Sequence, residues 1–212
     1  LRDGVTPGPV WSNGATLETR NALAAAFPTD EAWGPAAICD EVNRLLPENA
    51  MVSCDTGAHR ILLSSVWKCA QPHTLIQSSA FGSMGCGMPL AAGVKLVDPD
   101  RPVVAFTGDA GLEMILGELA TLRDRKLALV IVVFVDASLT LIEMKQRATG
   151  MTNLGVDFEQ TDFAAVARAM GGIGIDVDSR PALAEAVRDG LAADTFTIIA
   201  AHIPRGAYDG RF

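Results

Sequence analysis

The sequence predicts an α/β fold with three layers, in which helices cover both faces of a mostly parallel sheet. The segment from Arg101 to Thr107 is a short apolar run that ends at a glycine, which is typical of a buried strand entering a turn. Residues 113–125 then carry leucines at helical spacing with a polar opposite face. The apolar run from Leu127 to Val135 is mostly β-branched, which suits a strand covered on both faces. Together they form a β-α-β unit.

The other elements continue this alternation within a chain of 212 residues, long enough for one sizeable α/β domain. Residues 1–35 are rich in Gly, Pro, Thr and Asn and are interpreted as a linker or N-terminal extension with one helix at 17–27. We expect the domain at 36–205 and a C-terminal tail at 206–212. Its further strands are predicted at 50–54, 173–177 and 195–201, and its further helices at 36–46, 90–97, 139–147, 162–170 and 180–191.

Composition excludes several classes of partner. The formal charge of −8 and the pI near 4.8 argue against nucleic acid or an anionic membrane, because either would need a basic face. Nothing resembles a signal peptide or a membrane span. The four cysteines lie far apart without paired spacing, which favours reduced thiols and a cytoplasmic location over a zinc site or disulfides. Because the sequence starts at Leu1, we expect a fragment or a processed piece of a longer protein.

An acid follows each strand of the central β-α-β unit. Asp109 follows the first strand and Asp136 the second, so parallel pairing would bring them to the same edge of the sheet, where open α/β sheets bind ligands. Two carboxylates beside small residues suit Mg²⁺ that also holds phosphate. The alternative, an N-cap at Asp109 and a solvated loop acid at Asp136, is equally compatible with the spacing.

The same residues resemble a known signature. Gly108-Asp109-Ala110 and, after twenty-four residues, Val135-Asp136 resemble the Gly-Asp-Gly and Asn-Asn pair of thiamine-diphosphate enzymes. The resemblance implies that Asp109, Asp136 and the carbonyl of Ser138 bind Mg²⁺, which holds the diphosphate of the cofactor.

The signature departs from the family pattern at two places. Ala110 stands where the family has its last Gly, and it adds a methyl where the backbone passes close to phosphate. Val135-Asp136 replaces Asn-Asn, but Asp136 still offers an oxygen ligand. We therefore expect metal binding to survive these changes.

Two earlier loops extend the resemblance to acetolactate synthases. Residues 55–60 are similar to an Asp-x-Gly-Gln-His run that approaches the diphosphate; Gly57 and His59 match it, whereas Ala58 replaces the Gln. An alternative is that His59 is a helix-start histidine without a ligand. Residues 82–89 resemble a Gly-x-Met-Gly-x-Gly-x-Pro loop that holds the aminopyrimidine ring. By that resemblance Met84 bends the cofactor, although Met84 could instead be an ordinary core side chain.

The helix after Asp136 is expected to lie over the site. Ile142 and Lys145 differ from the residues that decarboxylases and acetolactate synthases carry at the corresponding positions, and Glu143 is interpreted as an exposed acid paired with Arg147. The complete set predicted to contact the cofactor is Gly57, His59, Gly82, Ser83, Met84, Gly108, Asp109, Ala110, Gly111, Asp136, Ser138, Leu139, Thr140 and Leu141. His202 and the tail are assigned no chemistry.

The resemblance implies the cofactor-binding portion of a thiamine-diphosphate- and Mg²⁺-dependent enzyme, a lyase or transferase that decarboxylates a 2-oxo acid with or without carboligation. No catalytic residue is assigned to this chain. The glutamate that activates the cofactor is expected on a separate pyrimidine-binding domain or subunit within a dimer or tetramer. The alternatives are a non-catalytic assembly or regulatory subunit that keeps the fold, and a generic α/β domain for another phosphate compound.

Overall fold

The computed structural model describes residues 14–212, so residues 1–13 of the predicted linker lie outside the described residues. Six strands form one sheet in the order β2-β1-β3-β4-β6-β5, and every neighbouring pair is parallel. Helices lie on both faces of the sheet. The predicted three-layer α/β fold is confirmed.

The elements have the following bounds. The strands are β1 (Met51–Cys54), β2 (Leu75–Gln77), β3 (Val103–Gly108), β4 (Val130–Val135), β5 (Ile173–Val177) and β6 (Thr197–His202). The helices are α1 (Ala15–Ala26), α2 (Pro35–Leu45), α3 (Ala58–Val66), α4 (Gly87–Val97), α5 (Asp109–Glu113), α6 (Leu119–Asp124), α7 (Thr140–Ala148), α8 (Phe163–Ala169) and α9 (Arg180–Ala192). No helix within residues 14–212 has the length and apolar character needed to cross a bilayer.

Alternate residues of the central strands enter two separate cores. In β3, Val104 and Phe106 pack with α2, α3 and α9 on one face, whereas Val103 and Ala105 pack with α4, α6 and α8 on the other. All of β4 is buried. This explains why β4 is a continuous apolar run, because a strand covered on both faces has no solvent side for polar residues.

Two sequence expectations were wrong or incomplete. The single helix predicted at 113–125 is instead α5, a 3-10 turn at Leu116–Glu118 and α6. The chain leaves helical geometry at Ile115 (φ −131°, ψ 19°), and Leu112 before this bend and Leu119 after it are both buried in the core. Strand β2 was not predicted, because it has three half-buried residues at the edge of the sheet and carries little periodicity.

Candidate functional site

A cavity of ≈ 270 Å³ lies at the carboxyl edge of the sheet. This is the edge where the topology changes direction, because β2 lies on one side of β1 and β3 on the other. The loops after β1, β3 and β4, the loop before α4, the start of α7 and the C-terminal tail all contribute. The lining residues are Thr56, Gly57, Ala58, His59, Gly82, Met84, Gly108, Asp109, Ala110, Gly111, Phe134, Asp136, Ser138, Leu139, Thr140, Leu141, Ile142 and Tyr208.

Asp109 joins the ends of β3 and β4. Its Oδ2 accepts hydrogen bonds from the main-chain N–H groups of Asp136 (3.1 Å) and Ala137 (2.7 Å), and its Oδ1 accepts from the N–H of Ala110 (2.8 Å). The residue that caps α5 is Gly108, so Asp109 is not the N-cap of the alternative interpretation. Burial raises the pKa of Asp109 above its usual value, although these N–H groups act against the shift.

Asp136 is a second buried carboxylate beside it. The Thr140 hydroxyl donates to its Oδ2, and the Ser138 N–H donates to its Oδ1 at 3.3 Å. Burial raises its pKa to about 6, and the neighbouring Asp109 charge adds to the increase. Ala137 follows with a left-handed backbone (φ 56°), which is costly for a residue with a side chain and turns the chain sharply at the site.

His59 is buried near the start of α3 and stacks on Phe134, with ring centroids 5.4 Å apart and planes at 15°. Burial lowers the pKa of His59 to about 4, a shift that the Asp55 carboxylate opposes. The imidazole is therefore neutral near pH 7. Its Nε2 has no hydrogen-bond partner among the described residues.

Asp55 holds the loop that precedes α4, a role that sequence reasoning missed. Its Oδ1 accepts from the N–H groups of Thr56 (2.8 Å) and Cys86 (3.0 Å), and its Oδ2 accepts from the Gly85 N–H (2.8 Å) and the Thr107 hydroxyl (3.0 Å). The Cys86 thiol also lies 3.3 Å from Oδ1. The signal in the sequence was an acid directly after a strand, the same signal that identified Asp109.

The C-terminal tail also reaches the cavity, again unpredicted. Tyr208 lines it and is only 2% exposed, yet its hydroxyl has no partner among the described residues. The Thr56 hydroxyl is likewise buried without a partner. Tyr208 belongs to no motif, and Thr56 occupies the unspecified position of the 55–60 run, so neither was predicted to contact a ligand.

The structure brings the predicted cofactor-binding set together around this one cavity, with Ser83 as the exception, because its side chain does not contribute to the lining. The predicted pairing of Glu143 with Arg147 is confirmed at 3.0 Å, and neither residue lines the cavity. His202 contacts Asp176 and Gln160 instead of the cavity.

The residues present fit an anionic ligand held through a cation. Among residues 14–212, no lysine or arginine lines the cavity, whereas two buried carboxylates do. Within residues 14–212 no three His, Cys, Asp or Glu side chains cluster as a metal site, so a cation here would rely on Asp109, Asp136, the Ser138 carbonyl and oxygens of the ligand. Mg²⁺ prefers this combination of one or two carboxylates with phosphate oxygens. The unpartnered atoms of Thr56, His59 and Tyr208 leave polar contacts for the ligand itself.

Comparisons with known proteins agree with this geometry. A family model described as thiamine pyrophosphate enzyme, C-terminal TPP binding domain, matches residues 55–201. The acetolactate synthase of Bacillus subtilis (strain 168) is 30% identical over 177 residues, which cover 84% of this chain and 31% of that protein. The acetolactate synthase isozyme 3 large subunit of Escherichia coli (strain K12) is 30% identical over 145 residues, 68% of this chain and 25% of that protein.

A solved structure has the same fold. The crystal structure of benzoylformate decarboxylase from Polynucleobacter necessarius superposes with a TM-score of 0.72 at 21% identity, covering 80% of this chain and 33% of that one. The chain therefore spans about a third or less of the length of these relatives.

Proposed function

The chain belongs to the thiamine pyrophosphate enzyme family, and from that premise we propose that it is the cofactor-binding portion of a thiamine-diphosphate- and Mg²⁺-dependent enzyme acting on a 2-oxo acid. The reaction would be decarboxylation, with or without transfer to a second carbonyl compound. The similarity of the chain to acetolactate synthases supports 2-oxo acids as the class of substrate.

The observation that carries the proposal is the pair of buried carboxylates, Asp109 and Asp136, on a cavity to which residues 14–212 contribute no lysine or arginine. Two neighbouring buried negative charges are unfavourable unless a cation joins them. Asp109 already accepts three main-chain hydrogen bonds, so its orientation is set before any ligand binds. A carboxylate accepts about four hydrogen bonds, which leaves Asp109 one free position and Asp136 more.

Each part of the cavity has a task in this proposal. The carboxylates and the Ser138 carbonyl would hold Mg²⁺, the main chain around Gly108 would lie against the diphosphate, and the loop with Gly82 and Met84 would hold the ring system. When bound, the cofactor supplies an electron sink for the carbon–carbon bond that breaks. The apolar lining from Phe134 and Leu141 would exclude water and strengthen the electrostatic contacts.

A second polypeptide would complete the site. None of the glutamates in the described part of the chain lines the cavity, so the activating glutamate of the family would come from a pyrimidine-binding domain or subunit. Phe81 directly precedes Gly82 of the cavity lining and is 99% exposed, and a fully exposed aromatic side chain at this place supports a protein partner. The chain spans about a third of the length of these relatives, which also supports an additional domain.

The first experiment is a calorimetric titration of the full chain with thiamine diphosphate, with and without Mg²⁺. We expect weak, Mg²⁺-dependent binding that Asp109→Ala abolishes. The matched control is Asp124→Ala, because Asp124 is exposed at the end of α6 and does not line the cavity. Mg²⁺-independent binding, or binding that survives Asp109→Ala, would contradict the cation site.

The second experiment separates an enzyme portion from a non-catalytic subunit, the alternative that Ala110 favours because its methyl occupies space at the cavity. Turnover of 2-oxo acids is measured for the chain alone and after addition of a pyrimidine-binding domain from a related enzyme. We expect turnover only in the mixture. Turnover by the chain alone would refute the need for a partner, and no turnover despite cofactor binding would favour the non-catalytic subunit.

A further inference from the structure

Unpartnered polar atoms concentrate at the cavity. Five buried side-chain polar atoms within residues 14–212 have no hydrogen-bond partner, and three of them belong to residues that line the cavity: Thr56 Oγ1, His59 Nε2 and Tyr208 Oη. His59 was assigned to the diphosphate from its motif. Tyr208 comes from a segment with no motif, so its position at the cavity calls for a separate physical reason.

Specific contacts hold the tail and the residues just before it, 203–205, over the loop that follows β4. The N–H of Ile203 donates to the Val135 carbonyl at 3.0 Å, and the Arg205 guanidinium donates to the Ala137 carbonyl at 3.1 Å. After Tyr208, an ion pair of 2.6 Å joins Asp209 to Arg147 on α7. The tail is thus anchored on both sides of Tyr208, directly beside the loop that carries Asp136.

The hydroxyl of Tyr208 is unnecessary for packing. The ring lies in the core with Phe134 and Ile203, where phenylalanine would contribute the same apolar surface. A buried hydroxyl without a partner destabilises a fold relative to that phenylalanine. A hydrogen bond to a ligand in the cavity would therefore explain why this position carries a hydroxyl.

In the proposed function the ligand carries an anionic diphosphate held through Mg²⁺. The described residues of the lining include no lysine or arginine, so the donors that they offer to an anion are main-chain N–H groups and neutral side chains. Burial, followed by the effect of the Asp136 charge, keeps the pKa of Tyr208 well above its usual value. The hydroxyl therefore keeps its proton and can donate.

We propose that Tyr208 binds the cofactor directly, its Oη donating a hydrogen bond to an oxygen of the diphosphate beside Asp136. This inference rests on the proposed function, and it adds a ligand contact from the C-terminal tail. It predicts that removal of this one oxygen atom weakens ligand binding without destabilising the free protein. Tyr208→Phe weakens binding of the diphosphate but leaves the free chain as stable as the wild type or more stable.

The test uses the full chain and three variants. Titration with Mg²⁺ and either thiamine diphosphate or inorganic pyrophosphate, up to millimolar concentration, gives the Kd, and thermal unfolding of the free chain gives its stability. We expect Tyr208→Phe to weaken both ligands roughly 10- to 100-fold, as is typical for loss of a hydrogen bond to a charged group. The matched control is Thr197→Val, because Thr197 Oγ1 is equally buried and unpartnered but does not line the cavity. Asp109→Ala tests the cation site separately.

Spectroscopy gives an independent readout, because Tyr208 is the single tyrosine of the chain. Isotope-labelled tyrosine yields one ring signal, which we expect to shift with Mg²⁺ and pyrophosphate but not with thiamine alone. An unchanged Kd in Tyr208→Phe, or an unshifted signal while Asp109-dependent binding occurs, would overturn the inference and leave the proposed function intact. Absence of any Mg²⁺-dependent binding by the wild type would overturn both.

Discussion

Asp55→Asn tests whether one buried carboxylate organises the loop that carries Gly82 and Met84. Both oxygens of Asp55 face donors: Thr56 N–H and Cys86 N–H on one side, and Gly85 N–H and the Thr107 hydroxyl on the other. An asparagine amide has one oxygen and one NH₂ group. Whichever way it is oriented, its NH₂ group meets at least one main-chain N–H.

The magnitude follows from these contacts. If the NH₂ group replaces Oδ2, Thr107 can rotate its hydroxyl to accept, but the Gly85 N–H at 2.8 Å loses its acceptor. If the NH₂ group replaces Oδ1, the N–H groups of both Thr56 and Cys86 lose theirs. Hydrogen bonds to charged groups are worth about 1.5–3 kcal/mol each, and the remaining ones weaken when the charge is removed. We therefore expect the free energy of unfolding to fall by about 3–5 kcal/mol.

The assay is urea unfolding of the wild type and Asp55→Asn, with hydrogen exchange of the Gly85 and Cys86 amides as a local probe. Asp124→Asn is the matched control, because it makes the same chemical change at an exposed acid and should leave the free energy of unfolding nearly unchanged. A loss of under about 1 kcal/mol in Asp55→Asn, with unchanged amide protection, would refute the reasoning.

Three further predictions concern the same site. Gly111→Ala places a methyl 2.3 Å from the Asp55 carboxylate and should lower the free energy of unfolding in urea by about 3 kcal/mol. The control Gly117→Ala, which has open space around it, should be neutral or slightly stabilising. Equal effects of the two substitutions would contradict the close contact at Gly111. His59 has a folded pKa of about 4 against 6.5 unfolded, so it contributes stability above pH 6.5 that is lost as the pH falls through 4, on the order of 3 kcal/mol. His59→Leu should remove this acid-induced loss from a pH series of unfolding curves, and an unchanged profile would contradict it. The pKa shift of Asp136 has the opposite direction, because its folded pKa of about 6 exceeds the unfolded value of 3.8. Its contribution to the stability of the fold, again on the order of 3 kcal/mol, is therefore complete below pH 3.8 and is lost as the pH rises through 6. Asp136→Asn should therefore stabilise the metal-free chain near pH 7 while abolishing its stabilisation by Mg²⁺, and a destabilised variant would refute this account.

Local signals were sufficient for the strands that form the centre of the sheet. The apolar runs at β3 and β4 identified both strands, because a strand buried on two faces must be apolar throughout. Strand β5 was also predicted with the bounds that the structure has. The short edge strand β2 was missed because its pairing to β1, and not its own pattern, makes it a strand.

The helix after β3 shows the limit of periodicity. Met114, Leu116, Leu119 and Leu122 predict one helix over 113–125, but the chain bends at Ile115 and leaves Met114 62% exposed while Leu119 and Leu122 are buried in the core. The bend also leaves Gly85 close to Ile115 and the Gly111 carbonyl. Packing between distant segments thus overrides local helical preference, which is worth less than 1 kcal/mol per residue.

The sequence by itself determined the fold class, the order of most elements and the motif residues that meet at the carboxyl edge of the sheet. These depend on patterns within short segments, since apolar runs define strands and acids follow them directly. Only the tertiary structure decided that Asp55 accepts hydrogen bonds from a loop thirty residues away and that the Tyr208 hydroxyl is buried without a partner. Both facts arise where segments distant in sequence pack together, because burial and the supply of hydrogen-bond partners are properties of the folded neighbourhood and not of any single stretch of chain.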